Sequence, residues 1–237
     1  LMALLIDIVP RNPVAAFMSG NMLQVIFMAL MLGGVMKSLG ETTDTWIING
    51  TDGPAASFGG INLSAWQARE RSAAQVQALH GRCDVLVNNA SVLRPGALET
   101  LSLEQWNQVL AVNLSGYLLC SQAFGHAMLA RGQGRIVHVA SIAAHYPQPN
   151  SGAYSAAKAG VSMLSRQIAV EWGPRGVRSN AVCPGLIRTP LSAAFYADPH
   201  IERQRSAMTA NQRIGEPQDI AEAVLFLASP RADYING

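Results

Sequence analysis

Residues 84–91 read Asp-Val-Leu-Val-Asn-Asn-Ala-Ser, and residues 135–141 read Arg-Ile-Val-His-Val-Ala-Ser. Each is a short run of β-branched and aliphatic residues ending in small polar ones, the pattern of a strand covered on both faces that runs into a turn. Between them, Ser102 and Gln105 stand at capping-box spacing ahead of Trp106 and Val109, which predicts a helix running on toward Leu129. Beyond them, residues 153–172 have helical spacing and residues 177–183 read as strand. Pro217 opens a helix to Leu227, as a first-turn proline does. On the near side, residues 61–63 read as the end of a strand, with Ser64 capping a helix to about Leu79. Strands alternating with helices of this length form βαβ units on a parallel sheet, so the predicted class is α/β.

The chain has 237 residues, enough for one domain with a well-buried core, and 49% of them are apolar. Only 14% are charged, against about 25% in an ordinary domain, and 17 Lys and Arg against 15 Asp and Glu leave a charge of +2. That balance excludes a nucleic-acid-binding surface and a disordered chain. Cys83, Cys120 and Cys183 are odd in number, far apart and without a CxxC pair, which excludes a disulfide framework and a zinc site. They are predicted as small apolar core residues of a cytoplasmic protein.

The shortage of charge is concentrated at one end. Residues 1–60 hold Asp7, Arg11, Lys37, Glu41, Asp44 and Asp52 and no other charge, and residues 12–36 hold none. At 1.5 Å per residue, a helix over residues 14–36 is long enough to cross a bilayer, which predicts membrane contact through this segment; a buried helix of a globular protein is the alternative. No basic start precedes it, so a secretory signal fits poorly. Residues 42–60 hold a short apolar run at 46–48 and then a Gly and Pro rich stretch read as linker or irregular. Gly50, Gly53, Gly59 and Gly60 do not form a G-x-G-x-x-G phosphate loop, and Pro54 removes a donor.

Tyr154 and Lys158 stand four apart in a helical stretch, so both side chains lie on one face. With 5 Tyr and 2 Lys in the chain, chance supplies roughly 0.04 such pairs. A phenol titrates near ~10, and a neighbouring ammonium favours the phenolate, which suits Tyr154 to general acid and base work. Ser141 ends a strand thirteen residues earlier, either to hold a substrate oxygen beside that phenol or to cap a turn. Asn113 sits inside a helical pattern, as a bend held by its side chain or as an ordinary polar position.

Asn88-Asn89-Ala90-Ser91, Asn113 within Val112-Asn113-Leu114, Ser141, Tyr154-Ser155-Ala156-Ala157-Lys158 and Pro184-Gly185-Leu186-Ile187-Arg188-Thr189 together resemble the short-chain dehydrogenase/reductases of the classical type, over about residues 61–237. The resemblance implies an NAD(P)-dependent alcohol or ketone oxidoreductase and a homo-oligomer. Its catalytic residues would be Asn113, Ser141, Tyr154 and Lys158. By that resemblance Tyr154 would exchange the proton, Lys158 would also bind the nicotinamide ribose, Ser141 would polarise the carbonyl and Asn113 would hold a relay water. It implies that Asn89, Ala90, Tyr154, Lys158, Pro184, Gly185, Ile187 and Thr189 contact NAD or NADP, and that no metal takes part. Residues 191–212 would form a lid over the substrate pocket, with Tyr196 and His145 as liners. Ser91 stands where the family carries glycine, and His138 reads as a core or interface residue. Residues 4–41, with Ile8-Val9-Pro10-Arg11-Asn12-Pro13 and Gly20-Asn21-Met22-Leu23-Gln24, resemble a transmembrane segment of the dicarboxylate and glutamate cation symporters.

The expected organisation is an apolar symporter-like segment at 1–41, a linker at 42–60 and a Rossmann-like domain at 61–237. Its doubly wound parallel sheet is expected to be incomplete, without recognisable first two strands or last strand, and the Asp84 strand would be left with an open edge. The alternative function is a catalytically inert fusion or membrane-associated fragment lacking a complete cofactor site.

Overall fold

The computed structural model describes residues 46–49, 57–58, 61–62, 73–74, 76–78, 81–189 and 191–237. Four short segments join in one parallel sheet: β1 (Trp46–Asn49), β4 (Val85–Asn88), β5 (Gly134–Val139) and β6 (Val177–Val182), in the order β1-β4-β5-β6. Two further strands, β2 (Ser57–Phe58) and β3 (Ile61–Asn62), form a separate antiparallel ladder. Residues 61–62 are therefore strand, as expected, but outside the main sheet.

The first strand is the main departure from expectation. Residues 46–49, expected within a linker, run parallel to β4 in the register Trp46 to Val85 through Asn49 to Asn88. The edge of β4 expected to be open is thus paired. Three apolar residues among glycines and prolines are a weak local signal, and the partner that stabilises them lies about forty positions away. The apolar segment at 14–36 lies outside the described residues, as does most of the helix expected from Ser64, although residues 73–74 and 76–78 are helical. Among the described residues no helix is long and apolar enough to cross a membrane.

The helices of the main body are α1 (Leu103–Leu110), α2 (Gly116–Arg131), α3 (Tyr154–Trp172), α4 (Pro199–Ala207) and α5 (Pro217–Ala228). Ser102 caps α1 through the expected box with Gln105, and a π-helical turn at Ala111–Ser115 joins α1 to α2. Side chains alternate along the strands and divide the core in two. Leu86 and Ile136 pack with Cys120, Phe124, Met128 and Ile168 from α2 and α3. Val85, Val87 and Val137 pack with Val224 and Ala228 from α5. A sheet covered on both faces is the doubly wound arrangement, and it explains why β4 is buried at every position.

Polar ties fix the two ends of the sheet. Asp84, buried ahead of β4, is bonded by Arg82, and Arg131 at the end of α2 reaches it at 3.4 Å and the Cys83 carbonyl at 2.9 Å. Residues 236–237 dock along β6: Ser179 donates to Asn236 at 2.8 Å and Gly237 donates back to Ser179 at 2.9 Å. Cys83 and Cys120 are buried as expected, and burial pushes the Cys83 thiol up to about 12. Cys183 is exposed, against expectation, because it follows the last residue of β6 where the helices no longer cover the sheet.

Between α3 and β6 the chain turns at Gly176 with φ +79, and a Cβ there would stand 1.9 Å from the Gly132 carbonyl oxygen. Gly81 also has positive φ, at +72, but opens on empty space. Gly176→Ala is expected to cost about 2–4 kcal/mol through strain plus backbone collision, and Gly81→Ala about 1 kcal/mol through strain alone. Thermal unfolding of the two variants side by side tests the difference.

Candidate active site

Every strand of the parallel sheet ends at the same edge, so Asn49, Asn88, Val139 and Val182 bring the segments that follow them together. Asn89 and Ala90 follow β4, Ser141 follows β5, and Pro184, Gly185, Ile187 and Thr189 follow β6. This is the edge at which open α/β sheets bind ligands. Asn89 and Gly185 are exposed there, Ala90 is buried, and the other four are half-buried.

Tyr154 opens α3 and Lys158 sits one turn on, in the buried stripe with Ala157, Val161, Ser165 and Ile168. A lysine in such a stripe needs acceptors. The Lys158 ammonium donates to the Val139 carbonyl at 2.8 Å and to the Tyr117 hydroxyl at 3.3 Å, and it lies 5.7 Å from the centre of the Tyr154 ring. Two of its three N–H groups are thereby engaged. Burial pulls Lys158 down to about 7, opposed by the nearby Cys183 sulfur. Burial likewise pushes the Tyr154 phenol above its ordinary value, while the hydroxyls of Ser141 and Ser91 draw it back. The expected lowering of Tyr154 by its ammonium neighbour is thus not what governs it: loss of water around the phenol outweighs it.

Of the two roles expected for Ser141, the turn cap is formed: its hydroxyl accepts the Ala143 N–H at 3.1 Å at the start of the turn Ile142–Ala144. The Ser91 hydroxyl is buried close enough to the Tyr154 phenol to act on it but completes no hydrogen bond with any of the described residues. Asn113 is buried in the π-helical turn and holds Val92 at both ends: Oδ1 accepts its N–H at 2.8 Å and Nδ2 donates to its carbonyl at 2.9 Å. The side-chain-held bend is therefore the correct one of its two readings.

The segment after β6 is braced rather than loose. Pro184 accepts from Ile142 at 2.8 Å, Arg188 donates to Gly215 at 2.8 Å, and Ser192 accepts the Thr189 N–H at 2.9 Å. Residues 193–196 and α4 make up most of the stretch expected as a lid. Tyr196 is buried there between the Arg188 and Arg205 guanidinium groups, 5.8 and 5.7 Å from its ring centre. His145 is exposed beside Cys183 at 3.7 Å. A separate concavity, lined by Gln122, His126, Leu129, Trp172 and Arg175, lies on the outside of α2 and α3 and shares no residue with this cluster.

Sequence reasoning missed Tyr117. It is fully buried in α2, and its hydroxyl donates to Val139 at 3.1 Å. The one local sign of it was an aromatic residue at the start of an apolar helix. His138 is the core residue expected. It stacks on Tyr117 at 5.8 Å and meets Asn88 Nδ2 at 3.2 Å, and its Nε2 has no partner among the described residues. Burial and the Lys158 charge pull it down to about 3, so it is neutral in the folded chain.

His138 takes up a proton near pH ~6.5 when unfolded and only near 3 when folded, so it contributes to stability above about 6.5, and that contribution fades as pH falls through this window. His138→Leu should flatten the fall in unfolding free energy between pH 6.5 and 4, and an unchanged slope in denaturant titrations would exclude that origin. Asn113→Ala leaves the Val92 N–H and carbonyl without partners and is expected to cost about 2–4 kcal/mol, with faster hydrogen exchange at the Val92 amide.

Residues 51–237 match the family model described as Enoyl-(Acyl carrier protein) reductase, and residues 1–53 match the one described as Sodium:dicarboxylate symporter family. The chain is 39% identical over 160 residues to the 2-(R)-hydroxypropyl-CoM dehydrogenase of Xanthobacter autotrophicus, covering 66% of this chain and 64% of that protein. It is 37% identical over 188 residues to a protein of the same organism named inactive 2-(S)-hydroxypropyl-CoM dehydrogenase 2, covering 77% and 82%. Among solved structures, a gluconate 5-dehydrogenase from Burkholderia cenocepacia in complex with NADP and tartrate superposes with a TM-score of 0.71 at 29% identity, covering 73% of this chain and 68% of that one. Through residues 51–237, with the Tyr154 and Lys158 pair at the carboxyl edge of its parallel sheet, the chain belongs to the short-chain dehydrogenase/reductase family.

Proposed function

We propose that this chain is an NAD(P)-dependent oxidoreductase that moves a hydride between the nicotinamide and a small alcohol or carbonyl compound. The observation that carries the reading is the convergence of Ser141, Tyr154 and Lys158 at the carboxyl edge of the sheet, with Lys158 buried and two of its N–H groups engaged. The third N–H suits a ribose hydroxyl, and the orphaned Ser91 hydroxyl suits a further polar ligand atom beside the phenol, so the residues fit the nicotinamide riboside half of the cofactor. The cofactor supplies the hydride donor or acceptor.

Tyr154 gives its phenolic proton to the substrate oxygen in reduction and removes it in oxidation. Ser141 donates a hydrogen bond to the same oxygen, and Lys158 stabilises the phenolate left behind. Asn113 keeps the turn after β4 in place through Val92, so that Asn89 and Ala90 face the adenosine side, and it anchors the relay water assigned to it. Pro184, Gly185, Ile187 and Thr189 border the nicotinamide and pyrophosphate, and His145 and Tyr196 belong to the substrate side. The catalytic unit is residues 61–237 together with β1. Exposed Met163 and Val170 on α3 and Leu118 on α2 support assembly into a homo-oligomer through these helices.

A second reading, an inert fusion without a complete cofactor site, is favoured by the 82% coverage of a relative named inactive and by the irregular glycine spacing of residues 50–60. Fluorescence titration with NADH and NADPH separates the two: saturable quenching supports the enzyme, and its absence supports the inert reading. In a binding-competent chain, Tyr154→Phe should lower turnover by about 10²–10⁴-fold with cofactor affinity retained. Alcohol oxidation requires the phenolate and burial raises the phenol, so kcat/KM should climb with pH on the alkaline side. Turnover that survives Tyr154→Phe would sink the assignment.

A further inference from the structure

Lys158 reaches the carboxyl edge of the sheet through a core that offers a cation few partners. Its ammonium lies 2.8 Å from the Val139 carbonyl and 3.3 Å from the Tyr117 hydroxyl, which itself donates to Val139 at 3.1 Å. Ammonium, phenol and carbonyl close a triangle. It is braced from behind, because Tyr117 stacks on His138 with 20° between the planes and His138 meets Asn88 Nδ2 at 3.2 Å. Asn88 Nδ2 also donates to Ser121 Oγ at 3.1 Å, and that hydroxyl donates to the Tyr117 carbonyl at 2.7 Å. One ring stack and three hydrogen bonds thus make a circuit that returns to Tyr117.

We propose that Tyr117 is a positioning residue for Lys158, its hydroxyl serving as the second acceptor that fixes the direction of the ammonium as well as its distance from β5. The proposal rests on the reading of Lys158 as the partner of Tyr154. A lysine stem has four rotatable bonds, and a single acceptor leaves the head free to swivel about it; two acceptors bonded to one another do not. Four titratable groups face the ammonium: Tyr117 from α2, neutral His138 from β5, Tyr154 from its own helix and Cys183 from the end of β6. Among the described residues, Tyr117 and Val139 alone accept a hydrogen bond from it. Tyr117→Phe removes the acceptor and keeps the ring, so the ammonium loses support and Lys158 titrates lower.

The chain has two lysines, Lys37 and Lys158, so the 237-residue chain with Lys37→Arg and 13C at lysine Cε gives one signal. Its two Hε protons should be distinct, as a held side chain requires, with a titration midpoint near 7. Tyr117→Phe should merge them and lower the midpoint by about half a unit or more. Phe124→Leu, which loosens the separate cluster around Leu86 and Met128, should change neither. Averaged Hε protons in the unmutated site overturn the proposal even if Tyr117→Phe does not fold, and so does an unchanged midpoint in folded Tyr117→Phe. A chain that transfers no hydride counts against the dehydrogenase reading, while the lysine signal still decides the role of Tyr117.

Discussion

The parallel ladder of β4, β5 and β6 is the constraint on which the rest of this structure depends. In a parallel sheet all strands finish at one edge, so residues that follow different strands are delivered to the same place without any attraction between them. Ser141, Asn89 and Pro184 lie far apart in the chain and share that edge because β4, β5 and β6 pair in register, Asn88 beside His138 and His138 beside Ala181. The helices then add what the strands lack. α3 brings Tyr154 and Lys158 across the edge, and α2 brings Tyr117 beneath them.

The sheet also accounts for the unusual electrostatics of the cluster. Covering both faces buries Lys158, His138 and Tyr117 completely, and each responds in the direction that burial dictates: the two bases are pulled down and the phenol is pushed up. A single carbonyl, that of Val139, absorbs much of the consequence by accepting from both Lys158 and Tyr117. Among the described residues, the buried side-chain polar atoms left without a partner, Asn88 Oδ1, Ser91 Oγ and His138 Nε2, all belong to this region. Uncompensated polar atoms in an otherwise well-packed core are characteristic of sites that await a ligand or water.

β1 ties the two parts of the chain together. Residues 46–49 lie within the stretch matched to the symporter family, yet they complete one side of a dehydrogenase sheet. Backbone hydrogen bonding explains how that can happen: a parallel neighbour needs an extended segment with a free N–H and carbonyl row, and it makes small demands on side-chain identity.

Tyr154 and Lys158 were legible in the sequence because both lie on one helix, where a spacing of four residues is already a statement about a shared face. The strands at 84–89 and 135–141 were legible because burial on both faces calls for runs rich in β-branched and aliphatic residues. The capping box at Ser102 and the proline start at Pro217 are local signals of the same kind. What depended on contacts between distant segments was not legible. The pairing of residues 46–49, the exposure of Cys183, the grip of Asn113 on Val92 and the place of Tyr117 beside Lys158 were decided by the tertiary structure alone. Periodicity reports which face a residue occupies, whereas a hydrogen bond between two faces exists only once packing has set the distance between them.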